Sequence, residues 1–185
     1  IVIDAGHGGP DPGAVRNNIK EKDLTLMAAK ILKKELLTKG FKVYLTRSSD
    51  RYIKLKNRVK FARNKSADLF ISIHADSTLN KQTNGTSIYS LSEKASDKLS
   101  QALADRDNKS DLIAGLDLDD LDKDVSDILI DLSRRETKNS SINFAELFIS
   151  YLGKQKFNLL RRPHRQAGFA VLKAPDVPSV LIEMG

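Results

Sequence analysis

Short runs of β-branched and apolar residues alternate along this chain with longer stretches in which apolar residues recur at the spacing of a helix. Strands that alternate with helices are typical of an α/β domain, in which helices pack on both faces of one sheet. We therefore predict a mixed, mostly parallel twisted sheet of about six strands with helices on both faces. The predicted strands are residues 1–4, 41–46, 68–74, 86–90, 168–172 and 179–183.

Three stretches between these strands have the periodicity of amphipathic helices. The first ends at Lys39-Gly40, where glycine favours the left-handed conformation that closes many helices. The predicted apolar faces are Leu24, Ala28, Ile31, Leu32 and Leu36; Leu55, Val59 and Ala62; and Phe144, Leu147, Phe148, Tyr151 and Leu152.

Residues 92–138 depart from this alternation of strands and helices, because no strand is predicted among them. The aspartates between Asp117 and Asp124 do not form a calcium loop, since no glycine lies at the sixth position and no glutamate at the twelfth. We predict that residues 1–185 form one domain, within which residues 92–138 are a helical insertion. Its aliphatic stripe is Leu118, Leu121, Val125, Ile128 and Leu132.

Composition and charge limit the kinds of site that this chain can contain. It has no cysteine, so a metal ion must be bound by histidine, aspartate or glutamate. No stretch approaches the roughly 20 apolar residues that a membrane span needs. The net charge of +7 is typical of a protein that binds a polyanion, although a solvated lysine-rich surface gives the same value.

Two of the three histidines lie at the carboxyl ends of predicted strands. His7 follows the first strand in a glycine-rich loop, and His74 ends an apolar strand. Because ligands of open α/β sheets bind beyond this edge, the two imidazoles could share one metal ion. A purely structural role for each histidine is the alternative.

Two glutamates are candidates to complete such a site. Glu21, at the entrance to the first helix, could be a third metal ligand, or it could only stabilise the helix N-terminus. Glu183 ends an apolar strand and could exchange a proton with a metal-activated water, or it could lie where the strand meets solvent. The loop at residues 6–13 matches no nucleotide-binding pattern, and no serine-nucleophile motif occurs.

Several sequence blocks occur together in one order across nearly the whole chain. They are Ile3-Asp4-Ala5-Gly6-His7-Gly8-Gly9 with Asp11-Pro12-Gly13-Ala14, Glu21-Lys22-Asp23, Thr46-Arg47, Leu55 with Arg58, Ala67-Asp68-Leu69-Phe70-Ile71-Ser72-Ile73-His74-Ala75-Asp76, Gln166-Ala167-Gly168-Phe169-Ala170-Val171-Leu172-Lys173-Ala174-Pro175, and Pro178-Ser179-Val180-Leu181-Ile182-Glu183. In this combination the chain resembles the zinc-dependent N-acetylmuramoyl-L-alanine amidases of bacterial cell-separation enzymes.

The resemblance implies a reaction and a site. The reaction is hydrolysis of the amide between N-acetylmuramic acid and L-alanine in peptidoglycan. The implied ligands of one Zn²⁺ per chain are His7, Glu21 and His74, and the implied catalytic base and acid is Glu183. The resemblance also implies a periplasmic or extracellular location and a role in cell-wall remodelling and daughter-cell separation.

The helical insertion also has a counterpart in the cell-division members that the chain resembles. There, a helical segment blocks the zinc until an activator protein with a LytM-type domain displaces it. An Arg-Glu-Asn stretch of those relatives corresponds here to Arg106-Asp107-Asn108, so Asp107 is the candidate autoinhibitory contact. Its side chain is one methylene shorter than glutamate.

Two other readings compete with an amidase. A non-catalytic module whose basic surface binds a cell-wall polymer would have no need of Glu183. A nucleic-acid binder is disfavoured, because aromatic residues make up only 6% of the chain and no nucleic-acid-binding motif occurs.

Overall fold

A computed structural model of the protein describes residues 1–75, 85–115 and 127–185, and for residues 127–133 it describes the backbone alone. The described strands are β1 (Val2–Ala5), β2 (Val15–Arg16), β3 (Ile19–Lys20), β4 (Tyr44–Leu45), β5 (Phe70–His74), β6 (Thr86–Leu91), β7 (Leu159–Ala167) and β8 (Ser179–Glu183). The described helices are α1 (Glu21–Thr38), α2 (Leu55–Asn64), α3 (Lys98–Asp107), α4 (Ser110–Ile113) and α5 (Asp127–Lys154).

Six strands form the main sheet in the order β4–β1–β5–β8–β6–β7. Neighbouring strands are parallel except for β6 and β8, which are antiparallel. The mixed, mostly parallel sheet that the sequence predicts is thereby confirmed. The strands β1, β5 and β8 run in the same direction. His7, His74 and Glu183 therefore lie at the same end of the sheet, where the carboxyl ends of these strands meet.

Alternate residues of the central strands face two separate cores, as the period of a strand requires. On one side, Ile71 of β5 packs in a cluster with Ala29 of α1 and Ala145 of α5. On the other side, Phe70 packs in a cluster that includes Ala62 of α2 and Leu103 of α3. Helices therefore cover both faces of the sheet. None of the helices in the described ranges has the length and hydropathy of a bilayer-spanning segment.

The prediction for residues 168–172 is wrong. These residues form no strand; a 3₁₀ turn at Ala170–Leu172 buries Val171 and Leu172 in the core. The sixth strand is β7, which the sequence prediction missed because it is rich in arginine and contains Pro163. Both features are tolerated here because β7 lies at the edge of the sheet.

Three smaller differences concern the first half of the chain. The strand predicted at residues 41–46 is reduced to the two residues of β4. Ile31, predicted on the buried face of α1, is 57% exposed. The hairpin of β2 and β3 was not predicted; its turn places Asn17 and Asn18 at positive φ, the conformation that asparagine tolerates in such turns.

The predicted insertion contains α3 and α4, and α5 begins inside its predicted limit. We call residues 98–113 the α3–α4 segment. Leu103 and Ala104 of this segment are buried in the core between α2 and the sheet. Of the predicted aliphatic stripe, Leu118, Leu121 and Val125 lie outside the described residues, as do the aspartates 117–124.

Candidate metal centre

His7, Glu21 and His74 meet at the edge of the sheet beyond β1 and β5. Nε2 of His7 lies 3.2 Å from Oε1 of Glu21, and Nδ1 of His74 lies 3.3 Å from the same oxygen. All three side chains are buried. One ligand atom from each lies within 4.8 Å of those of the other two. The three residues that sequence analysis singled out are therefore brought together.

The loop after β1 presents His7 in one orientation. His7 has a φ of 59° and begins a tight turn through Gly8 and Gly9, both also at positive φ. Nδ1 of His7 lies 2.8 Å from Oδ2 of Asp11, so this carboxylate fixes the ring and directs Nε2 towards Glu21. A metal-binding imidazole commonly donates a hydrogen bond from its other ring nitrogen to a carboxylate.

Glu21 is the first residue of α1, but its carboxylate does not cap that helix. Oε2 accepts a hydrogen bond from the Ala14 amide at 2.8 Å, and Oε1 accepts one from the Ala75 amide at 2.8 Å. Both donors belong to loops that border the site. The structure therefore favours the site role of Glu21 over the role of a helix-dipole partner.

Two glycines allow the close approach of these side chains. A Cβ on Gly6 would lie 2.6 Å from Nε2 of His74, and a Cβ on Gly13 would lie 2.6 Å from Cδ2 of His7 and 2.7 Å from Oε2 of Glu21. Gly13 also has a φ of 65°, which side-chain-bearing residues adopt reluctantly. Both positions are restricted to glycine by the packing of the site.

The electrostatics of the site show how strongly its groups interact. Burial by itself lowers the pKa of His7, but the carboxylates of Asp11 and Glu21 outweigh it and raise this pKa to about 10. Burial likewise opposes the charged form of His74, whose pKa is nevertheless raised by the carboxylates of Asp107 and Glu21. The pKa of Glu21 is held well below its usual range by the two imidazoles, against the effect of burial.

The donor set fits a divalent metal ion. Within the described residues, Nε2 of His7 and Nδ1 of His74 are buried and make no hydrogen bond. A tetrahedral ion bound by nitrogen and oxygen at about 2.1 Å separates its ligands by about 3.4 Å. The distances from Glu21 to the two imidazoles match that separation.

Glu183 lies beside this centre. It ends β8 directly opposite His74 of β5 in the sheet register, and it is 5% exposed. Ligand atoms of His74, Asp107 and Glu183 also lie within 4.8 Å of one another. The reading in which Glu183 merely meets solvent at the end of a strand does not agree with this burial.

Asp107, the last residue of α3, also reaches the centre. Its Oδ2 lies 3.5 Å from Nδ1 of His74, and its Oδ1 lies 3.2 Å from a guanidinium nitrogen of Arg106. The α3–α4 segment leaves a cavity of only about 10 Å³ among His7, His74 and Asp107. That volume is at most enough for one water molecule.

Two buried arginines hold the loop behind the site, and sequence reasoning gave them no role. Arg58 donates to the carbonyl oxygens of Ala5 and His7, at 2.9 Å each. Arg47 donates to the carbonyl oxygens of Ala5 and Gly6, at 2.9 and 2.8 Å. The sequence does not show that these arginines bind backbone carbonyls, because such contacts depend on loops that are remote along the chain.

Comparison with known proteins assigns a family to this site and fold. The family model described as N-acetylmuramoyl-L-alanine amidase matches residues 1–185. The chain is 40% identical over 185 residues to N-acetylmuramoyl-L-alanine amidase AmiA of Escherichia coli (strain K12), over 99% of this chain and 64% of AmiA. It is 41% identical over 186 residues to AmiC of Escherichia coli O6:H1, over 99% of this chain and 44% of AmiC.

A solved structure agrees with this assignment. The catalytic domain of CwlV, an N-acetylmuramoyl-L-alanine amidase from Bacillus (Paenibacillus) polymyxa var. colistinus, superposes with a TM-score of 0.62 at 28% identity, over 98% of this chain and 77% of CwlV. The chain spans less than two thirds of the length of AmiA and AmiC. With a match over all its residues, the chain belongs to the N-acetylmuramoyl-L-alanine amidase family.

Proposed function

We propose that this protein is a zinc-dependent hydrolase that cleaves the amide between N-acetylmuramic acid and L-alanine in peptidoglycan. The observation that carries the proposal is the convergence of His7, Glu21 and His74, with Glu183 beside them, in a chain of the amidase family. His₂Glu is a ligand set of catalytic zinc, which leaves a coordination position open for the reaction.

The chain's own residues have distinct roles in this reaction. Bound Zn²⁺ supplies Lewis-acid polarisation of the amide carbonyl and lowers the pKa of a water molecule. Glu183 accepts the proton of the attacking water on its carboxylate and returns it to the nitrogen of the departing L-alanine. Asp11 keeps His7 oriented throughout, since it binds the ring nitrogen that faces away from Glu21.

We further propose that the resting protein is autoinhibited by the α3–α4 segment. The support is the buried contact of Asp107 with His74 and the small cavity that the segment leaves. An activator, of the LytM-domain type that the resemblance implies, would displace the segment. As the resemblance implies, we propose that the protein acts in cell-wall remodelling and daughter-cell separation, in a periplasmic or extracellular location.

A point variant tests autoinhibition better than deletion of residues 92–138, because deletion would uncover the core around Leu103 and Ala104. We expect Asp107→Ala to raise hydrolysis of purified peptidoglycan by the zinc-loaded protein at least about tenfold, the effect of roughly 1.4 kcal/mol. The control is Asp105→Ala, since Asp105 is exposed on the same helix and bonds Gln101. Equal rates for Asp107→Ala and the unchanged protein would contradict autoinhibition by this contact.

Catalysis is tested in the same Asp107→Ala background. Adding Glu183→Gln is expected to lower the rate of muramyl-peptide hydrolysis about 10²–10⁴-fold while bound zinc, measured by metal analysis, stays at one per chain. Adding Glu146→Gln, at an exposed position on α5, is the control. If the Asp107→Ala protein binds peptidoglycan with zinc present but releases no peptide, the non-catalytic binding module is the correct reading.

A further inference from the structure

Beyond Asp107, Asn108 of the α3–α4 segment binds backbone groups next to the metal centre. Its side-chain nitrogen donates to the carbonyl oxygen of Gly168 at 2.9 Å, and its side-chain oxygen accepts from the Ala170 amide at 2.7 Å. These two backbone groups flank Phe169, as the pair that binds one residue of a parallel neighbouring strand would. The side-chain amide of Asn108 thus occupies the position that a peptide group of an extended chain would take.

The side chain of Asp111, in the same segment, accepts two hydrogen bonds. Its Oδ1 accepts from the hydroxyl of Tyr52 at 2.6 Å and from the backbone amide of Leu55 at 3.1 Å. Burial raises the pKa of Tyr52, and Asp111 raises it further, so the hydroxyl stays a donor at neutral pH. A pair of donors selects a carboxylate over a neutral carboxamide, because the charged acceptor makes the stronger hydrogen bonds.

Both positions adjoin the metal centre. Leu55, Asn108 and Phe169 line the same small cavity as His7 and His74. Tyr52 lies against the loop that carries His7, since a Cβ on Gly9 would be 2.9 Å from the Tyr52 amide. In chain order, the segment therefore offers the carboxylate of Asp107 at the centre, the amide of Asn108 on Gly168 and Ala170, and the carboxylate of Asp111 on Tyr52 and Leu55.

We propose that the α3–α4 segment imitates the substrate, and that the groups it covers are subsites for the peptide of peptidoglycan. Once the segment is displaced, Gly168 and Ala170 bind the peptide backbone, and the Tyr52 hydroxyl with the Leu55 amide binds a carboxylate of the peptide. The inference rests on the proposed function, and it adds which part of the substrate is recognised and by which residues.

The experiment measures peptide binding to the full chain with Asp107→Ala and Asp111→Ala. Removing Asp111 leaves the Tyr52 hydroxyl free of its partner, so Tyr52→Phe added to this background reports on the ligand alone. The probes are L-alanyl-γ-D-glutamyl-L-lysine amide and the same peptide with the glutamyl α-carboxylate replaced by a carboxamide. The control variant is Tyr44→Phe, on the edge strand β4.

We expect the carboxylate peptide to bind at least about tenfold more tightly than the carboxamide peptide, and Tyr52→Phe to remove most of that difference. Tyr44→Phe should leave both affinities unchanged. Equal affinities for the two peptides, no effect of Tyr52→Phe, or no binding when faster amide exchange shows that α3 is open would each overturn the proposal. Hydrolysis of peptidoglycan by the same zinc-loaded variants is assayed separately, so a failure of the amidase assignment is distinguishable from a failure of the subsites.

Discussion

At the scale of single residues, Asp4 joins the strand that leads to His7 to three other parts of the chain. Its carboxylate accepts hydrogen bonds from Thr46 at 2.6 Å, from Ser72 at 2.8 Å and from Arg58 at 3.0 and 3.2 Å. Asp4 and Arg58 are almost completely buried. Because Arg58 also holds the carbonyl oxygen of His7, this ion pair fixes the position of a candidate metal ligand.

We expect Asp4→Asn to lower the free energy of unfolding by about 3–5 kcal/mol, because it leaves the charge of Arg58 buried without a counter-ion. The measurement is urea unfolding at neutral pH. The exposed pair Arg63–Asp176 supplies the control, and Asp176→Asn should cost only about 0–1 kcal/mol. A loss below about 1 kcal/mol for Asp4→Asn would contradict the role given to this ion pair.

The same residue predicts a pH dependence. Burial opposes ionisation of Asp4, but Arg58, Thr46 and Ser72 outweigh it and hold its pKa below the ordinary value of 3.8. A lowered pKa contributes stability that is complete above about pH 4 and is lost as the pH falls towards the folded-state pKa. Acid unfolding curves should therefore be steeper for the unchanged protein than for Asp4→Asn, and parallel curves would exclude this contribution.

Gly13 makes a prediction about metal affinity. Gly13→Ala should weaken zinc binding, measured by competition with a chelator, by at least about tenfold, because the new Cβ would displace His7 or Glu21. Gly40→Ala is a matched control: Gly40 also has positive φ, at 83°, but a Cβ there would meet no atom within 4 Å. Both variants should lose some stability, and only Gly13→Ala should lose affinity for zinc.

At the scale of elements, the sequence predicted those strands whose position follows from a local run of apolar residues. The apolar runs that became β1, β5, β6 and β8 are buried, and the sequence therefore located them well. The sequence analysis missed β7. An edge strand does not require alternating apolar residues, and it can contain a proline. The sequence analysis identified His7 and His74 from their places at strand ends, whereas the partners of Arg47 and Arg58 depend on tertiary packing that no local pattern encodes.

The α3–α4 segment is held, between its two helices, by the two hydrogen bonds of Asn108. We expect Asn108→Ala to speed amide hydrogen exchange in α3 and α4, since the part-buried backbone groups of Gly168 and Ala170 lose their partner. Mass spectrometry of the exchanged protein measures this effect segment by segment. Asn57→Ala, at an exposed position on α2, should leave exchange in the segment unchanged. Unchanged exchange in Asn108→Ala would mean that the core contacts of α3 alone hold the segment.

At the scale of the whole molecule, the candidate centre ties three remote parts of the chain together. His7 follows β1, Glu21 begins α1 and His74 ends β5. An ion that binds these residues only when they are folded together stabilises the native state. Zinc at 100 times its dissociation constant should add about 2.7 kcal/mol to the free energy of unfolding. Thermal unfolding with and without a chelator measures the gain, and Glu21→Gln should reduce it.

The cavity of about 10 Å³ beneath the α3–α4 segment has a kinetic consequence. In the proposed autoinhibited state, a chelator reaches the ion only after the α3–α4 segment has moved away from the centre. At high chelator concentration the extraction rate should then reach a plateau that equals the rate of this opening. The plateau rate of ion loss would thus measure the rate at which the segment opens, and Asn108→Ala should increase that rate.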